Sequence, residues 1–73
     1  MANYINVIVT GPTIQGFFEK TLAELNKKVN VKIEEGYKPI GGVSIHKFVI
    51  KNDDIERSYE CEQLIQTMVK ESK

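Results

Sequence analysis

The chain carries one cysteine, Cys61, and one histidine, His46. Nucleophilic catalysis needs a nucleophile beside a positioned base, so Cys61 and His46 form the one dyad available, and only if folding brings them together. The setting opposes it. Cys61 lies between Glu60 and Glu62, with Asp53, Asp54 and Glu56 upstream, and negative neighbours disfavour the thiolate that a nucleophile needs. Asp53 and Asp54 lack the spaced oxygen ligands and the glycine of a calcium loop, and no Cys/His cluster exists to hold a structural metal. The reading is therefore of a non-enzyme with no catalytic residue, no metal and no cofactor.

Binding chemistry has better material. In "VTGPT", Gly11 stands between Thr10 and Pro12, and a helix start near Thr13 would leave free backbone N–H groups at the positive end of a helix dipole, where anions and phosphates are held. The segment lacks the second glycine and the Lys-Ser/Thr pair of a Walker loop, and a plain structural turn is the preferred account of it. The second candidate is "EEGYKPIGGVSIH", residues 34 to 46. Gly41 and Gly42 either make a bend that re-aims a strand or leave a strand bare so that a ligand approaches its backbone. In the ligand reading Ser44 and His46 offer hydrogen bonds from one strand face. Tyr37 or Tyr59 would stack on a base, and Arg57 would pair with a phosphate. Asn30 and Gln66 are further polar candidates.

The elements that must position these residues follow from hydrophobic periodicity. Residues 4 to 10, "YINVIVT", alternate Ile5, Val7 and Val9 against Tyr4, Asn6, Ile8 and Thr10, the period-2 pattern of a strand. Gly11 and Pro12 punctuate, and Thr13 is placed to cap a helix. Ile14, Phe18, Leu22, Leu25, Val29 and Ile33 then share one stripe of a single helix over about 13–35, ended by Gly36 at C′. "VNVKI" could be read as a short strand, but the continuous stripe favours helix. Residues 43 to 50, "VSIHKFVI", read as a second strand, and "CEQLIQTMVK" reads as a last strand or a C-terminal helix. With "KNDDIERSYE" as a charged loop, a hairpin is preferred. The expected fold is α+β with order β-α-β-β: one long helix on a small three-stranded mixed or antiparallel sheet, in a single domain over 1–73.

Seventy-three residues bury only about 60% of the surface their unfolded chain exposes, so a monomer is marginal. Neither disulfides nor a metal supplies the deficit, which leaves oligomerisation. Both faces of the expected sheet are apolar: beyond the helix side stand Tyr4 and Ile8, then Phe48 and Ile50, then either Leu64 and Met68 or Ile65 and Val69. A homodimer or higher oligomer, through the open face or a strand edge, is expected. Ten basic residues balance ten acidic ones, which argues against long nucleic acid or a membrane surface as partner. Five acids against Arg57 between Asp53 and Glu62 read as a solvated loop. No apolar run reaches the length of a membrane span, and "MANYINVIVTG" lacks the basic start and long apolar core of a signal peptide. A cytoplasmic location is expected.

Set together, "VTGP" (Val9 to Pro12), "VN" with "EEGYKPIGGVS" (Val29, Asn30, Glu34 to Ser44) and "QTMVK" (Gln66 to Lys70) resemble a family of very short bacterial and phage proteins of unknown function. Members look like a strand and helix, a Gly-Tyr/Trp-x-Pro-x-Gly-Gly centre and a closing Gln-Ala-Met-Val-Lys strand. The chain departs at Thr67 and in its acidic segment, and the resemblance leaves out residues 51 to 62. It implies a final strand at Gln66 to Lys70 and a phage or mobile-element origin. Small phage proteins look like inhibitors of a host protein or like sponges for a nucleotide immune signal. The functional expectation is an oligomeric sponge for a phosphorylated or nucleotide-derived signalling molecule, with Thr10, Gly11, Thr13, Tyr37, Gly41, Gly42, Ser44, His46, Arg57 and Tyr59 as ligand contacts. The alternative is a protein-interaction module that regulates a host protein through its open sheet face or acidic loop.

Overall fold

A computed structural model describes residues 1–52 and 57–71. Asp53, Asp54 and Glu56 of the expected acidic loop lie outside the described residues. The order of elements is β1 (Ala2–Pro12), α1 (Phe17–Glu34), β2 (Lys38–Pro39), β3 (Ser44–Asn52) and β4 (Arg57–Glu71). Every strand pairing is antiparallel. The α+β class stands, with four strands among the described residues in place of the expected three.

β4 is the centre of the sheet. Its "CEQLIQTMVK" segment is strand, and the pairing continues outward through Glu60 and Tyr59 to Arg57 opposite Asn52. Arg57 to Glu62, expected as loop, are therefore strand as well. The reason is cross-strand pairing with β3, where Ile50 stands opposite Tyr59 and Phe48 opposite Cys61; a local charge count does not see that partner. β1 lies along the other edge of β4, from Ala2 opposite Glu71 to Pro12 opposite Cys61. Gly11 and Pro12 thus continue the strand and do not form the expected turn. The backbone of Thr13 extends the ladder, its N–H donating to the Glu60 carbonyl at 2.9 Å.

The helix consequently begins later than expected. Gly16, at φ 83°, is its N-cap and supplies the left-handed turn that reverses the chain, without a side-chain cap. Thr13 caps nothing, and Ile14 lies outside the helix and exposed. The C-terminus matches expectation: Gly36 has φ 100°, its N–H donates to Ile33 O at 3.0 Å, and the Tyr37 N–H donates to Lys32 O at 3.0 Å. These two bonds are the Schellman closure. "VNVKI" is helical.

The core is small. Val7 and Val9 of β1, Leu25 of α1, and Leu64 and Met68 of β4 are its buried hydrophobics, joined by half-buried Ile5, Leu22, Val29 and Tyr37. Phe18 and Ile33, expected on the core stripe, are exposed, because Thr21, Leu22, Leu25 and Val29 carry the packed face. The helix covers β1 and part of β4 but makes no contact with β3. The β3–β4 hairpin therefore projects as an arm, and the molecule measures 52 × 24 × 18 Å with a radius of gyration of 15.0 Å. A compact chain of this length would have a radius of about 11 Å.

Candidate functional site

The sheet has two unlike faces. On the helix side β1 presents Val7, Val9 and Gly11, and β4 presents Glu62, Leu64, Gln66 and Met68, all buried. On the outer face stand Tyr4, Ile8 and Thr10 of β1, Ser44, His46, Phe48 and Ile50 of β3, and Tyr59, Cys61, Gln63, Ile65, Thr67 and Val69 of β4. These follow from the register and the strict period of two. Among the described residues no further element covers this face. Tyr4 is 67% exposed, Ile8 44% and Ile50 48%.

Across the middle of that face the register sets Thr10, Gln63 and His46 in one row, each on a different strand. The next row is Ile8, Ile65 and Ser44, followed by Asn6 and Thr67, where the Thr67 hydroxyl donates to Asn6 Oδ1 at 2.8 Å. Polar groups thus interleave with isoleucines across the middle of this surface. Thr10, Ser44 and His46 were expected as contacts, and the fold brings these three together. Gln63, Asn6 and Thr67 were missed. Period-two alternation along β4 would have placed Gln63 and Thr67 on one face, but only once that segment was known to be strand.

The remaining candidates scatter. Tyr59 and Arg57 share the outer face, four and six residues along β4 from Gln63, which at strand rise is about 13 and 20 Å away. Gly11 points to the helix side, buried against Thr21, whose hydroxyl stands where a Cβ would go. The anion-cradle geometry required a helix starting right after Gly11, and the helix begins at Phe17. Thr13 borders a shallow cleft of about 210 Å³ with Lys47, Phe48, Val49, Glu60 and Cys61. Tyr37 is half-buried against the core, with the Lys32 and Lys70 ammonium groups 6.0 and 5.7 Å from its ring centre. Cys61 stands opposite Phe48, and His46 opposite Gln63, so the thiol and imidazole are diagonal neighbours.

Gly41 and Gly42 sit where the ladder changes strands. β2 pairs with β4 at Val69 and Met68, and β3 takes over the same edge at Ile65. Between them Gly41, at φ 70°, turns the chain away. Gln66, only 6% exposed, holds the interruption: its side-chain NH₂ donates to Thr67 O at 3.0 Å, to Ile40 O at 3.2 Å and, more weakly, to Gly41 O at 3.4 Å. A buried amide thus ties together the carbonyls on both sides of the break, Thr67 O also accepting from the Ile40 N–H at 3.0 Å. The φ of Gly41 and this clamp supply a structural reason for the bend. Gly42 has open space where a Cβ would stand.

No family model, curated protein or solved structure matches this chain. No helix among the described residues is long and apolar enough to cross a membrane.

Proposed function

We propose that the chain is a non-enzymatic, homo-oligomeric binding protein of phage type that captures a small phosphorylated or nucleotide-derived molecule on its outer sheet face. The observation that carries this reading is the row Thr10, Gln63 and His46, with Ser44 beside it and apolar Ile8, Ile65 and Phe48 around it, on the outer sheet face. Hydroxyl, amide and imidazole groups supply donors and acceptors for a ribose or phosphate, and Ile8, Ile65 and Phe48 around them supply apolar area for a base. Arg57 and Tyr59 stand too far along β4 to reach a ligand at the row of their own chain. A second copy laid over the face would bring in such groups and exclude water.

A rival reading, a module that docks on a host protein, draws on the arm. Ile45 and Val49 on its helix side and Phe48 and Ile50 on its outer side are all exposed, a surface that another protein could cover.

Native mass spectrometry and thermal melts with cyclic oligonucleotides and ADP-ribose-derived molecules separate the two. A ligand at about a hundred times its dissociation constant stabilises by about 2.7 kcal/mol, or on the order of ten degrees here. The expected result is a retained ligand mass with that shift, lost in His46→Ala at unchanged circular dichroism. A wild-type oligomer that ignores every molecule of the panel overturns ligand capture and favours docking.

A further inference from the structure

β1 is an edge strand of eleven residues, Ala2–Pro12, and among the described residues β4 is the one strand that it pairs with. Its other edge presents unpaired backbone groups, a template for another strand. Proteins blunt such edges with charged side chains, proline or bulges. This one carries no charged residue, and its proline stands at the very end. Beside the bare edge runs a groove of about 450 Å³ lined by Ile5, Asn6, Val7, Ile8 and, from the helix, Lys28, Val31 and Lys32.

The helix runs antiparallel to β1, since Thr21 meets Gly11 while Lys28 to Lys32 flank Ile5 to Ile8. At about 1.5 Å per helical and 3.3 Å per strand residue, Val31 comes level with the Asn6–Val7 stretch. Around Val31 the charges are arranged oppositely. Lys28 lies three residues before it and Glu35 four residues after, on one stripe; Glu35 shares that side with Lys32, which it meets at 3.1 Å.

We propose that two copies of this chain join β1 to β1 in antiparallel fashion about a two-fold axis through the Asn6–Val7 stretch, with both helices on the same side of one continuous sheet. Under that symmetry Val31 meets Val31 of the second copy and Lys28 faces Glu35, twice over, because an isologous interface repeats each contact. With each helix lying mainly over β1, strand spacing sets the two axes one to two strands apart, about 5–10 Å, which overlaps the normal helix packing distance of about 8–10 Å. The chain exposes 5720 Å², more than a compact folded monomer of its 8.3 kDa, which exposes about 4,600 Å²; the projecting arm contributes to that excess, and the charge pattern beside the bare strand is what selects the β1 edge. A second copy fits the edge better than an acidic peptide, which would satisfy Lys28 and Lys32 and leave Glu35 facing like charge.

This inference shares with the proposed function only the oligomer, and its test uses no ligand. Sedimentation over a dilution series is compared for the wild type, Lys28→Glu, Glu35→Lys, their equimolar mixture and the double variant. The wild type is expected as a dimer or an even multiple. Each single reversal sets like charges face to face and should raise the dissociation constant about 10- to 100-fold, whereas the mixture and the double variant restore opposite charges and should return the wild-type mass. Circular dichroism confirms that each variant is folded. A monomeric wild type, a reversal that leaves association unchanged, or a mixture that stays apart overturns the pairing. Ligand capture failing on an intact dimer would sink the proposed function and leave this interface standing.

Discussion

Gly11 is a glycine because of Thr21. A Cβ at residue 11 would overlap Thr21 Oγ1 and press on Thr21 Cβ and Cγ2, each 3.3 Å away. Thr21 is itself 3% exposed, and its hydroxyl donates to Phe17 O at 3.1 Å, so it has little freedom to retreat. Gly11→Ala should therefore destabilise by about 1–3 kcal/mol, the usual cost of overpacking. Thr21→Ala removes the hydroxyl and methyl that clash, so in that background the same change at Gly11 should cost at least about 1 kcal/mol less. Urea unfolding of the four proteins reads this coupling directly; additive effects would mean that the two residues do not press on each other. The contact also explains why residue types alone suggested an anion turn at Gly11. A glycine before a proline has the same local signature whether it turns or makes room for a helix side chain ten residues later. Gly41 is the complementary case. Its turn was legible from glycine density, while the Gln66 amide that clamps it comes from the opposite end of the chain.

At the scale of elements, alternation and stripe were legible wherever they were internal to a segment. Strand β1, most of α1, its Gly36 terminus and β3 follow from period alone. What local pattern could not show was length, because β1, β3 and β4 are prolonged by pairing with one another. Thr13 looked like a cap because it precedes an apolar run, yet its N–H is spent on Glu60 O and the reversal falls to Gly16. The two readings differ in outcome. With a cap at Thr13, Thr13→Ala would cost about 1 kcal/mol. In this fold its side chain is exposed and the substitution should change stability by less than about 0.5 kcal/mol. Gly16→Ala should instead cost about 1–2 kcal/mol, since φ 83° is left-handed backbone that a Cβ disfavours even with open space around it. Chemical denaturation of the two variants decides between them. The candidate site was half legible for the same reason: Ser44 and His46 could be paired by strand period, and Thr10 joined them only once β4 was seen to lie between.

The whole molecule poses a question of proportion. Its buried hydrophobic core consists of Val7, Val9, Leu25, Leu64 and Met68, while Tyr4, Ile8, Ile45, Phe48, Val49, Ile50 and Tyr59 remain in contact with solvent. Pairing at the β1 edge would cover the groove that Ile5 and Val31 help to line, and at about 25 cal/mol per Å² even about 200 Å² of apolar surface covered contributes about 5 kcal/mol, a large share of a small domain's net stability. Folding and association should then be linked, and linkage has a signature that needs neither ligand nor mutation. If native dimers unfold to separate chains, a hundredfold rise in protein concentration adds about 2.7 kcal/mol per dimer. With an unfolding entropy of about 2.1 cal/mol/K per residue over two chains, this raises the melting temperature by about 9 °C. Calorimetric or circular-dichroism melts across two decades of concentration should show that slope. The Lys28→Glu variant should show a lower melting temperature at every concentration, because it weakens association without touching the core. A wild-type transition that stays flat across the range would mean that the small core holds the arm and both sheet faces unaided, and that the open outer face is available, uncovered, to a different protein.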